Sequence, residues 1–151
     1  ETARLELPMR IRVRKWEKNH NAISVERGPL AYSLKIGEKW VRYGGSDEWP
    51  AHEVYPTTPW NYGLVLDPKS PESSFQVMRG EASIPGQPFT SDDAPVRIIA
   101  LGKRIQQWKM EKGLVGLLPD SPVKSDEPIE KITLIPMGCA RLRISMFPTV
   151  S

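Results

Sequence analysis

Leu5-Glu6-Leu7-Pro8-Met9-Arg10-Ile11-Arg12-Val13 sets the reading of the fold. Apolar side chains fill the odd positions, and Glu6, Arg10 and Arg12 fall between them; a period of two marks a strand with one buried face. Pro8 cannot donate a ladder hydrogen bond, so an edge or bulged strand is expected. Working outward, Asn19-His20-Asn21 is a turn cluster and Ala22–Glu26 a short strand. After Arg27-Gly28-Pro29, Leu30, Tyr32, Leu34 and Ile36 alternate again, and Ile36-Gly37-Glu38-Lys39-Trp40 predicts a hairpin into Trp40–Tyr43.

Further along, Tyr62–Leu66, Phe75–Arg79, Val96–Leu101, Arg104–Trp108, Leu114–Leu118, Lys131–Ile135 and Arg141–Phe147 are apolar runs. They are punctuated by Asp67–Ser74, Pro85-Gly86-Gln87-Pro88, Ser91–Pro95, Gly102-Lys103, Asp120–Pro128 and Pro136–Cys139. About nine or ten short strands between Gly, Pro, Asn and Asp signals predict an all-β, antiparallel β-sandwich, jelly-roll-like, with little or no helix.

Composition agrees. Fifteen prolines and 11 glycines among 151 residues, with 39% hydrophobic content, disfavour a helical bundle, because helix interiors reject both residue types. No run of about 18 apolar residues offers a membrane-spanning helix. The alternation starts within the first residues, so Glu1 reads as a cut point inside a longer polypeptide, with residues 1–151 as a single module of it.

Candidate chemistry is sparse. One cysteine, Cys139, excludes an internal disulfide and a multi-cysteine metal site. His20 and His52, 32 residues apart, have no ligand spacing, and no cofactor is expected. Cys139 with either histidine is the available nucleophile–base pair, but its place in a turn between strands suits a small packed side chain. Net charge is +3. The basic stripe Arg10, Arg12, Arg14 has only Trp16 for base stacking, so a charged strand face that resists edge pairing is preferred to a nucleic-acid surface.

The sharpest local signal is aromatic. Trp49, Tyr55, Trp60 and Tyr62 lie close together with Glu48, Glu53, His52 and Asn61 among them. Apolar C–H faces of sugars stack on such rings while hydroxyls meet amides and carboxylates. Trp and Tyr are also enriched where domains meet. Glu48 and Glu53, flanking Trp49, are the one pair of carboxylates placed for glycoside hydrolysis. These six residues, Trp49, Tyr55, Trp60, Tyr62, Glu48 and Glu53, are therefore candidates for a carbohydrate contact or a domain interface.

"LELPMRIR" (Leu5–Arg12) followed by "ISVERGPLAYSL" (Ile23–Leu34) resembles the opening of the β-sandwich region of glycoside hydrolase family 127, typified by β-L-arabinofuranosidases. Glu26-Arg27-Gly28-Pro29-Leu30 with Tyr32 is the most specific part. "EVYPTTPWNYGLVLD" (Glu53–Asp67) and "ITLIPMGCARLRISMFP" (Ile132–Pro148) are similar to later segments of the same region, in the same order. The resemblance implies a C-terminal β-sandwich module. In that family a large (α/α)₆ barrel upstream carries a cysteine nucleophile, a glutamate and a cysteine-rich zinc site. Cys139 falls in the closing strands and does not inherit the nucleophile's role. By this resemblance the chain alone is inactive, its partner is the upstream barrel and secondarily an oligosaccharide, and the parent is periplasmic or secreted.

Overall fold

The computed structural model describes residues 2–80 and 86–151; Glu1 and Pro85, with the expectations attached to them, lie outside the described residues. The strands among those residues are, in chain order, β1 (Ile11–Trp16), β2 (Ala22–Arg27), β3 (Leu30–Leu34), β4 (Glu38–Gly45), β5 (Pro50–Pro56), β6 (Tyr62–Leu64), β7 (Gln76–Arg79), β8 (Val96–Arg104), β9 (Met110–Glu111), β10 (Leu114–Val115) and β11 (Glu130–Pro136). Two short 3-10 turns, Pro71–Ser74 and Met137–Cys139, are the helical elements among them. The fold is all-β, antiparallel and sandwich-like, as the alternation predicts.

One curled sheet runs β1-β2-β3-β11-β8-β6. β7 also pairs with β8, through Gln76–Arg79 against Val96–Ile99, so β6 and β7 share the edge of β8 that faces away from β11. β4–β5 and β9–β10 are separate two-stranded ribbons. Val25, Tyr32, Leu34, Leu64, Ile98, Ile105, Leu134 and Phe147 fill the core beneath the curl.

The last eight residues complete the enclosure. β2 and β3 pair only through Glu26–Ala31 and Arg27–Leu30. Beyond that pairing the C-terminal segment serves both strands. Leu34 donates its backbone N–H to Ile144 (2.8 Å), and Ile23 and Phe147 exchange a reciprocal pair of N–H···O bonds (2.8 Å each). The segment then reaches the far side of the sheet, where Leu64 N–H donates to Pro148 O (2.8 Å) and Val150 N–H to Leu64 O (3.0 Å). On its other flank Val123 bridges Val150, donating its N–H to Thr149 O (2.8 Å) and accepting from Ser151 N–H (3.1 Å).

Four sequence expectations change. Strand β1 begins at Ile11, not Leu5. Residues 2–10 are exposed, with Leu5 82% accessible, because alternation needs a partner strand to bury it and β2 pairs only from Ile11 onward. Trp40–Tyr43 does not pair with β3 but belongs to β4, whose partner is β5. Gly102-Lys103 is no turn: β8 runs through it. A side chain at Gly102 would sit 3.0 Å from Ile132 and 3.2 Å from the Gly63 carbonyl, so glycine marks a close approach of neighbouring strands. The run Arg141–Phe147 is not a regular strand; Ile144 and Phe147 within it pair with Leu34 and Ile23.

The enclosure makes Phe147 a stability anchor. Replacing Phe147 with Ala is expected to cost about 3–5 kcal/mol, measured by urea unfolding. Leu117→Ala, on an exposed side chain, stays within about 0.5 kcal/mol.

Candidate functional site

The aromatic stretch divides among three environments. Trp49 lies at the tip of the β4–β5 ribbon and is 76% accessible; its backbone N–H donates to Ser46 Oγ (3.0 Å), and Glu48 beside it is exposed. Tyr55 and Glu53 share one face of β5, where the Tyr55 hydroxyl donates to Glu53 Oε2 (2.5 Å). That hydrogen bond, with the carboxylate's charge, raises the Tyr55 hydroxyl above its ordinary range. On the other face Trp40 meets His52 edge-on, with ring centroids 5.7 Å apart. Trp60 packs against the core, and Tyr62 on β6 is 5% accessible. The six candidates therefore do not converge on one site.

Asn61 organises what does converge. Its Nδ2 donates to the carbonyls of Ile105 (2.8 Å) and Trp108 (3.2 Å), and Ile105 N–H returns a bond to Asn61 O (2.8 Å). This holds residues 105–108 in a turn instead of the predicted strand. Trp108 is buried there, its indole N–H donating to Gly116 O (3.0 Å). Trp60 and Trp108 meet edge-to-face at 5.2 Å and 78°, a favoured aromatic geometry.

Trp60 borders two clefts. The first, about 620 Å³, lies between residues 56–61 and Arg104–Met110 and is lined by Thr57, Thr58, Trp60, Arg104, Gln106 and Lys109 among others. The second, about 480 Å³, lies between β5 and the β9–β10 ribbon. Its floor is Ile36, Trp60, Leu142 and Ile144, its walls Val54, Tyr55, Met110, Leu114 and Val115, and its charged groups Glu53 and Arg143. The ribbon turns on Lys112 and Gly113, both in the left-handed region (φ 51° and 80°), as a two-residue hairpin requires. Arg104, Gln106, Lys109, Leu114 and Val115 escape a sequence reading because each joins the site through tertiary contact.

The remaining candidates lie elsewhere. Cys139 is buried and its Sγ donates to Pro88 O (3.2 Å). Burial pushes the thiol up, with Arg141 opposing, the reverse of what a reactive thiolate needs. His20 Nδ1 contacts Asp120 Oδ1 (2.7 Å) in the turn after β1. Arg12 is paired with Glu26, and Arg14 lies over the Trp16 ring at 4.0 Å. Among the described residues no His/Cys/Asp/Glu group is placed to hold a metal ion.

Tyr62 is a buried partner of Glu130, donating its hydroxyl to Oε2 (2.8 Å). Burial first, then the Glu130 hydrogen bond and charge, push its hydroxyl up to about 12, with Arg104 opposing. The folded state holds this proton more tightly than the unfolded chain, whose tyrosines titrate near 10. Its contribution to stability is therefore complete below pH 10 and is lost as pH rises toward about 12. In a 295 nm absorbance titration Glu130→Gln is expected to lower this midpoint, and Tyr62→Phe to remove this part of the alkaline loss of stability.

Comparison of the chain with models of known protein families, with curated proteins and with solved structures finds no match.

Proposed function

We propose that the chain is a non-catalytic β-sandwich-like module that packs on and supports a larger catalytic domain of the same polypeptide. This is the relation implied by its resemblance to the C-terminal region of family-127 glycosidases. The observation that carries the reading is the apolar surface of the two ribbons. Trp40, Tyr43 and Trp49 on or beside β4–β5 are exposed, as are Leu114 (73%) and Leu117 (84%) in and after β10. Several large apolar side chains left in water on projecting elements are the mark of an interaction surface, and Trp and Tyr are the usual anchors of one. The ribbons are not strands of the main sheet, so their role is in what they touch beyond it.

A second reading is saccharide binding, favoured by Trp60, whose ring borders both clefts next to hydroxyl, amide and charged groups. The first cleft is compatible with the first reading, since Trp40, Tyr43, Trp49, Leu114 and Leu117 do not line it.

The module reading predicts that the open reading frame encodes a helical domain of several hundred residues before Glu1. In that longer protein, replacing Trp49 and Leu117 with Ser is expected to lower the thermal midpoint of the helical domain while leaving the isolated module's unchanged. Hydrolysis of aryl arabinofuranosides by the isolated chain, abolished by a substitution within it, would overturn the reading.

A further inference from the structure

We propose that the first cleft, between residues 56–61 and Arg104–Met110, binds acidic saccharides, that is, sugar rings carrying a carboxylate. The inference rests on the saccharide-binding reading above and specifies both the cleft and the ligand's charge.

Charge separates the two clefts. The second pairs Glu53 with Arg143 within a largely apolar lining. The charged groups lining the first are Arg104 and Lys109, both cations. Glu127 accepts from the Gln106 amide and Glu130 from the Tyr62 hydroxyl (2.8 Å), and neither lines the cleft. Among the described residues neither Arg104 nor Lys109 has a carboxylate within 4.0 Å. Arg104 Nε is shielded from solvent and has no hydrogen-bond partner. A half-buried guanidinium with an unused donor is costly to leave unmatched. A ligand carboxylate in the cleft meets the positive charge of this guanidinium and of Lys109, neither of which has an ionic partner among the described residues.

The other wall explains why the anion is a sugar. Trp60 is fixed edge-to-face against buried Trp108, so its ring orientation is set before any ligand arrives, and little ordering is required on binding. An aromatic face held in this way takes the C–H face of a pyranose. Thr57, Thr58 and Gln106 are the uncharged polar residues with hydroxyl or amide groups that line the cleft beside Trp60 and Asn61, and the Gln106 amide nitrogen donates to Glu127. The Asn61 side-chain amide and backbone carbonyl, bonded to residues 105 and 108, lock the two walls together. The cleft's volume, about 620 Å³, falls in the range of small-molecule sites, roughly 300–1,000 Å³.

The test is isothermal titration of the 151-residue chain with three probes: an oligogalacturonate, a neutral arabino-oligosaccharide of equal length, and inorganic phosphate. The expected result is binding of the oligogalacturonate well above the other two, with a change in tryptophan emission and an affinity that weakens between about 50 and 500 mM salt. Arg104→Gln and Lys109→Gln are each expected to weaken it about tenfold. Lys109 is exposed, so its variant reports on binding even if Arg104→Gln disturbs the fold. Equal binding of the neutral and acidic oligosaccharides overturns the acidic inference and leaves saccharide binding standing. Phosphate binding as tight as the oligogalacturonate overturns it in favour of a general anion site. An affinity untouched by Lys109→Gln and by a folded Arg104→Gln places the ligand elsewhere and overturns it. Failure of both oligosaccharides to bind removes the acidic inference and the saccharide reading together.

Discussion

The reciprocal backbone pairing of Phe147 with Ile23 is what allows strands this short to enclose a core. After the two residue pairs that join β2 to β3, the N–H groups of Ile23 and Leu34 need acceptors, and both lie in buried surroundings where an orphaned donor is costly. Residues 144–147 supply those acceptors, and residues 148–150 carry the same segment on to Leu64 of β6. The segment thereby links strands from both sides of the curl. Phe147, placed at the join, contributes its side chain to the core it helps to close. The fold is completed by contacts between the two ends of the chain, the kind of long-range closure that slows folding of β proteins.

Much of this was legible in the sequence wherever one face of a strand is buried and the other wet. The alternation of Leu30, Tyr32 and Leu34 locates β3, and Lys131–Ile135 falls within β11. The same logic explains the failures. Strands β4 and β5 are mostly exposed on both faces, so their sequences have no reason to alternate: Trp40–Tyr43 reads as a strand but its partner Pro50–Pro56 does not. Leu5, Leu7 and Met9 alternate without a partner to bury them, and alternation alone cannot tell the two cases apart. The segment Arg141–Phe147 is apolar in sequence, but its pairing with Ile23 and Leu34 leaves no local trace.

The site was legible only in part. Trp60 and Asn61 stand in the aromatic stretch 48–62, and both border the first cleft. Their neighbours Trp49, Tyr55 and Tyr62, close in sequence, go to a ribbon tip, a ribbon face and the core. What completes the cleft comes from Arg104–Met110, 44 and 47 residues beyond Asn61 at the two carbonyls its side chain holds. No spacing rule links an asparagine to backbone carbonyls that far along the chain, and the residues that would betray the link are a turn that reads, locally, as a strand.

The two surfaces proposed for function differ in how they are held, and the difference suits each to its task. Trp60 is braced by Trp108 and the main core, so a ligand in the cleft meets a wall that shares the rigidity of the folded sheet, and recognition of a small polar molecule gains from such preorganisation. The β4–β5 and β9–β10 ribbons pair only within themselves and expose most of their side chains. Elements with few buried contacts open and adjust at low free-energy cost, which a surface that must conform to a second domain can use and a sugar subsite cannot. Charge follows the same division. Arg12 and Arg14, at the N-terminal end, are already occupied by Glu26 and Trp16, whereas Arg104 and Lys109 keep their charge beside the rigid wall. A domain docked on Trp49 and Leu117 covers apolar surface at residues that do not line the cationic cleft.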